Sequence, residues 1–342
     1  MGDAELSYTL KTATYGTILE GQQPVEKLET KEGTPWDMPS GAGVLWALVA
    51  LVSGSLLVGA LLAPQVHTGL VALGRAVAEW SFLRDLSFER VASRCVLVSI
   101  AVGFLPSMRR AGARNLADLG LVRERGWPWR IGLWAFLGMG SILLVLAGGW
   151  VLGAYVPSNR IGVRDLFSVA MFAWGALFVG IIEEIFFRGA LYGGIRKVFG
   201  PFVGMLVSSL LFSIVHFAKP VPQIGIAKAH WYSGLQLVPD TFRIIHASYH
   251  YFPYALTLLL MGIVLCVAVE RTGSLFAAIG LHTGWIWAMR ATQSFLSSNE
   301  GKLETFFGRG GDLATGYVAT FTMAGILVKM LILWRPSRRS SG

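Results

Sequence analysis

Residues 180–192 read Gly180-Ile-Ile-Glu183-Glu184-Ile-Phe-Phe-Arg188-Gly189-Ala-Leu-Tyr192, and they continue a run, residues 166–182, that contains no charged side chain. The apolar character persists through two carboxylates and a guanidinium, and no proline or glycine pair comes before Gly193 and Gly194. The spacing therefore predicts a helix that carries its charges inside, or at the edge of, a bilayer. An ionised side chain at the centre of a spanning helix costs about 2.5–3.5 kcal/mol on insertion scales, so each needs a partner or a wet cavity. Glu184 and Arg188 stand at i and i+4, the favourable order for a helical ion pair. Glu183 is left over; rotated about 100° from Glu184, it must find its partner on another helix.

The rest of the chain agrees with a membrane setting. Of its 342 residues 54% are hydrophobic and 14% charged, with a mean hydropathy of +0.57, whereas soluble domains carry about 25% charged residues. A soluble globular fold is excluded. Uncharged runs cover residues 40–64, 95–108, 131–159, 166–182, 198–218, 250–269 and 272–289, and residues 313–334 hold only Lys329, near their end. The expectation is an all-α polytopic membrane protein with eight transmembrane helices. Residues 66–86 mix Arg75, Glu79 and Arg84 with apolar positions and read as an interfacial amphipathic helix. Residues 1–39 are polar and lack the features of a cleavable signal peptide, so they read as a soluble, disordered arm. Residues 40–334 then form the transmembrane domain, with a catalytic core over 166–289, and residues 335–342 a basic tail.

Basic residues set the orientation. The segment 109–130 holds Arg109, Arg110, Arg114, Arg123, Arg125 and Arg130 against Asp118 and Glu124, which places it in the cytoplasm together with both termini. Arg196, Lys197, Arg271 and the tail arginines Arg335, Arg338 and Arg339 agree. The long connection 219–249 falls on the outer side despite Lys219, Lys228 and Arg243. The net charge of +9 is thus explained by inner loops and does not call for a nucleic-acid partner. Cys95 and Cys266 lie in apolar runs and offer no disulfide framework. Without organelle-targeting features, the expected location is a bacterial inner membrane.

Histidines complete the pattern. In Phe212-Ser-Ile-Val-His216, an antiparallel hairpin turning near Phe199 and Gly200 brings His216 level with Glu183. His282, in Gly280-Leu-His282-Thr-Gly-Trp-Ile286, lies roughly 12–15 Å into its span by helical rise, an overlapping depth. A carboxylate and an imidazole sharing a water can deprotonate it as it attacks a carbonyl, and a second imidazole can donate to the oxyanion. The same Glu183, His216 and His282 form a plausible two-His, one-Glu zinc set, so metal-free and zinc-assisted chemistry stay open. The structural alternatives are an ion-pair cluster stitching helices and interhelical hydrogen bonding by the histidines. His230, His246 and His250, beside Trp231, Tyr232 and Tyr249, read as an interfacial aromatic loop. Gly41, Gly43, Gly54, Gly138, Gly140, Gly148 and Gly149 read as close helix packing.

The Glu183-Glu-Ile-Phe-Phe-Arg188 stretch resembles the EExxxR motif of the CPBP family, the CAAX proteases and bacteriocin-processing enzymes. Phe212 to His216 is similar to its FxxxH motif, and His282 with its preceding apolar stretch to its third motif. The resemblance covers about 110 residues. It implies an eight-helix intramembrane endopeptidase, with Glu183 and His216 as the water-activating pair, His282 as oxyanion stabiliser, Glu184 and Arg188 as structural support, and a membrane-anchored protein or peptide as substrate. One position departs from the family pattern. Where the prenyl endopeptidase branch has HxxxN, this chain has Ile286, so Thr283, the indole of Trp285 or Trp287, or a backbone group must substitute, or activity is reduced. A non-catalytic membrane scaffold or immunity protein, and a proton-relaying transporter, are the competing readings.

Overall fold

The computed structural model describes residues 40–122, 125–158, 162–217, 230–241, 251–299, 301, 303–308 and 312–333. The arm 1–39, the tail 335–342 and the expected sidedness of both termini lie outside the described residues, as do His246, His250 and much of the 219–249 connection.

A helix stands at each of the eight uncharged runs. In chain order they are α1 (Gly41–Ala76), α2 (Phe88–Arg110), α3 (Trp127–Val151), α4 (Val163–Glu184), which continues through a π-helical segment (Ile185–Tyr192) into α5 (Gly193–Phe199), then α6 (Pro201–His216), α8 (Phe252–Thr272), α9 (Leu275–Phe295) and α11 (Tyr317–Ile332). Two short helices, α7 (Ser233–Thr241) and α10 (Glu304–Phe307), lie in connections. Five of the described helices are long and apolar enough to cross a membrane: α1, α2, α3, the α4–α5 rod and α8. The fold is all-α and polytopic, apart from one small sheet.

Three boundaries differ from expectation. The first span does not stop at Pro64, and no separate amphipathic helix forms over 66–86: α1 runs through the proline to Ala76 and is followed by a 3₁₀ turn over Ala78–Asp85. Proline is tolerated in an apolar helix when neighbouring segments hold the chain in place. Here Gly74 lies against the turn, since a Cβ there would sit 3.0 Å from the Trp80 carbonyl. The third run ends as a helix at Val151, and after Gly153 (φ 76°) the chain turns into β1 (Tyr155–Pro157). That strand pairs antiparallel with β2 (Leu296–Ser298), Tyr155 opposite Ser298. The Tyr155 hydroxyl donates to the Phe307 carbonyl, and burial, with Asp312 nearby, pushes its pKa upward. The third difference, the π segment, shapes the site.

In a bilayer, helices associate through close packing and interhelical hydrogen bonds rather than hydrophobic burial. The contact of α3 with α9 illustrates the first: a Cβ on Gly284 would fall 2.1 Å from the Ala135 carbonyl oxygen, one on Gly280 2.6 Å from that of Ile131, and one on Gly138 2.6 Å from that of Leu281. Gly149 is packed as tightly, against Tyr155, whereas Gly54, Gly140 and Gly148 meet nothing within 4 Å. The hydrogen bonds illustrate the second. Ser213 donates to the Ala255 carbonyl (2.9 Å), joining α6 to α8, and Thr257 and Thr320 bond at 2.7 Å, joining α8 to α11. As a result α9 is buried from Leu275 through Trp285. His282 therefore sits on a helix with little freedom to move.

Candidate active site

Glu183 and Glu184 are the last residues of α4, where regular α-helix gives way to the π segment. A π-helix bonds residue i to i+5, so its turn is wider and its carbonyls fall out of the usual register. One of them, on Phe187, accepts a hydrogen bond from Ser208 of α6 at 2.9 Å. The rod continues to Phe199, and the chain reverses at Gly200, whose φ of 85° favours glycine, before Pro201 opens α6. The hairpin expected near Phe199 and Gly200 is present, and it returns α6 along the rod so that Phe212 packs edge-on to Phe187 with 5.2 Å between ring centroids.

The expected ion pair forms. Arg188 Nη1 donates to Glu184 Oε1 at 2.8 Å, both side chains being fully buried. The guanidinium lies over the Phe212 ring, 4.4 Å from its centroid. Such a pair is costly to desolvate, and neither member can be removed without stranding the other. Glu184 also does something the sequence reading left out: its Oε1 accepts from Nδ1 of His282 at 2.8 Å. Nε2 of the same ring faces Glu183, 3.9 Å from Oε2. His282 thus lies between the two adjacent carboxylates, bonded to the buried one and turned toward the half-buried one.

His216 ends α6. Its Nδ1 lies 2.8 Å from the Phe212 carbonyl oxygen. A carbonyl only accepts, so Nδ1 carries a proton and Nε2 is the nitrogen left to face the site. The ring is within electrostatic reach of Glu183, His282 and Arg188. Phe212 packs on both imidazoles, its centroid 4.4 Å from His216 and 5.8 Å from His282.

The oxyanion candidates divide. The Trp285 indole is fully buried and donates to Ser141 Oγ at 3.0 Å, and that of Trp287 donates to the Val169 carbonyl at 2.9 Å. The Trp285 N–H is thus engaged in holding α9 to α3. Thr283 Oγ1 is buried without a hydrogen-bond partner among the described residues, as is Glu183 Oε2. It points at Gly180, one turn before Glu183, where an added Cβ would lie 2.8 Å away. Buried polar atoms are rarely left unpaired, and those that are mark strain or function.

Among the described residues no three His, Cys, Asp or Glu side chains come together as a metal-holding group. Both histidines commit Nδ1 to protein acceptors, which leaves Nε2 of each as the nitrogen that could face a ligand.

Comparison with known families bears on the same segment. Residues 165–288 match the family described as Type II CAAX prenyl endopeptidase Rce1-like. This segment is thus similar to that family. The match begins in the first turn of α4 and ends in α9, so it takes in Glu183, Glu184, Arg188, His216, His282 and Thr283. Comparison with curated proteins and with solved structures finds no match. The matched segment includes the α4–α5 rod and α8, two of the five described helices that are long and apolar enough to cross a membrane.

Proposed function

We propose that the protein hydrolyses a peptide bond near the membrane surface in a membrane-anchored protein, with the bacterial inner membrane as its setting and the bilayer as the route of substrate entry. The observation that carries this reading is the meeting of carboxylates from the end of α4 with an imidazole from α9, beside His216 of α6, in a buried setting.

In the proposed reaction a water lies between Glu183 and Nε2 of His216. Glu183 takes one proton as the water oxygen attacks the scissile carbonyl, and the carbonyl π electrons move to oxygen. The resulting oxyanion accepts from Nε2–H of His282 and from the Thr283 hydroxyl. Because Glu184 holds the Nδ1 proton, the ring donates from Nε2 only as the doubly protonated imidazolium, whose charge the two carboxylates balance. Collapse of the intermediate breaks the C–N bond, and the proton on Glu183 passes to the departing amine. Glu184 and Arg188 touch neither water nor substrate in this scheme. Glu184 is a positioning residue that selects which nitrogen of His282 faces the reaction.

The test is to quantify termini of membrane proteins in cells carrying Glu183→Gln. An uncut membrane-anchored protein should accumulate at wild-type enzyme abundance; the same cut termini in both strains would overturn the proposal. Ile286, where the prenyl endopeptidase branch carries a hydrogen-bond donor, favours one competing reading, a non-catalytic scaffold of the same fold. Full complementation by Glu183→Ala/His216→Ala would establish it in place of the protease.

A further inference from the structure

Away from this site, α1 and α2 run antiparallel and touch where Gly59 meets Val96; a Cβ on Gly59 would lie 2.6 Å from the Val96 backbone. Beyond that contact toward the chain turn, the two helices part around a groove of about 480 Å³, a volume within the range of small-molecule sites. One wall is Leu62, Val66 and Leu70, successive i, i+4 positions of α1. The other is one face of α2 carrying Arg90, Arg94 and Val98 at the same spacing. The apolar side chains lead from the groove to the outer surface, where Leu62, Val66 and Val98 are exposed.

The two arginines are the anomaly. Like charges at i and i+4 repel each other, and both side chains are exposed on a helix apolar enough to span a membrane. Neither has an acidic partner among the described residues. Glu89, next in sequence to Arg90, is buried on the other side of the helix. Arg90 is the third residue of α2 and Arg94 lies one turn further in, which puts the pair at headgroup level when the helix spans the bilayer. From there the apolar walls lead inward along Val98 and Leu62. A ligand that satisfies both parts has an anionic head, which two guanidiniums hold through charge-assisted hydrogen bonds, and a hydrocarbon tail.

We propose that this groove is a binding site for an anionic phospholipid, its phosphate held between Arg90 and Arg94 and one acyl chain laid against Leu62, Val66 and Val98. The site is independent of the endopeptidase reading. Neither arginine belongs to the proposed catalytic machinery, and an inactive protein would still show the binding.

The experiment reconstitutes the full chain in nanodiscs of phosphatidylcholine with and without phosphatidylglycerol and follows thermal unfolding, with native mass spectrometry of the detergent-purified protein to count retained lipids. Phosphatidylglycerol should raise the midpoint by about 3 °C over phosphatidylcholine alone, as a ligand that binds only the folded state does. One phosphatidylglycerol should survive delipidation. Arg90→Gln/Arg94→Gln, both at exposed positions, should lose the difference and the retained lipid while keeping its midpoint in pure phosphatidylcholine. Equal stabilisation by the two lipids, the same shift from inorganic phosphate alone, or an unchanged lipid preference in the double variant would each overturn the proposal. Should the double variant not fold, the lipid count on the unaltered protein decides: no retained anionic lipid overturns it.

Discussion

Glu184 holds Arg188 on one side and the Nδ1 proton of His282 on the other, through the same carboxylate oxygen. Glu184→Gln should therefore lower folded yield in detergent, because breaking a buried pair costs about 3–5 kcal/mol. Adding Arg188→Met removes the stranded charge and should recover most of the folded yield. If Glu184 were only the counterion of Arg188, a Glu184→Leu/Arg188→Met pair would behave as well as one retaining Gln at 184. On the present account only the Gln pair keeps an acceptor for Nδ1–H. Nitrogen-15 spectra of labelled histidine should show the Nδ1 of His282 protonated in the unaltered protein and in the Gln pair, but a tautomeric mixture in the Leu pair. A ring protonated only at Nε2 in the unaltered protein would contradict the assignment whatever the activity. The i, i+4 spacing made the Glu184–Arg188 pair legible in the sequence. The bond to His282 was not legible, because two adjacent carboxylates point about 100° apart and nothing local says which of them a helix ninety-eight residues later will meet.

At the scale of elements, the wide turn after Glu184 and the tight glycine contacts of α9 bring the residues of the site together. Ser208→Ala would remove the side-chain hydrogen bond that ties the Phe187 carbonyl to α6, worth about 0.5–1.5 kcal/mol; thermal unfolding should show a lower midpoint, and an unchanged one would mean that the π segment does not need this bond. Gly284→Val is more severe. Its Cβ would fall 2.1 Å from the Ala135 oxygen, so α3 and α9 must separate, and the protein should fail to elute as a monodisperse species in size-exclusion chromatography. The uncharged runs located all eight principal helices, since apolar length is what a bilayer selects. They did not locate their ends. Hydropathy cannot tell that α1 continues past Pro64 against its own 3₁₀ turn, nor that α3 stops at Val151 to form a strand pair, because both depend on segments that pack from elsewhere. The π segment has no hydropathy signal either: Ile185 to Tyr192 reads as ordinary apolar helix.

At the scale of the whole molecule, the family match covers the segment from α4 to α9, while α1, α2 and α3 precede it. Those helices are nonetheless part of the site's frame. Phe104 of α2 packs on Phe186 beside Glu184, with ring centroids 6.1 Å apart, and Ser141 of α3 holds Trp285 three residues after His282. Truncation to the matched segment should thus abolish cleavage even if the fragment inserts into membranes. The central claim is that Glu183 activates the attacking water, and it is tested most directly with purified protein in lipid vesicles containing the membrane-anchored protein that accumulates in Glu183→Gln cells. Removing a general base typically costs about 10²–10⁴-fold. Glu183→Gln should show a loss of that size in turnover, with the melting temperature unchanged; turnover equal to that of the unaltered protein would contradict a general-base role for Glu183.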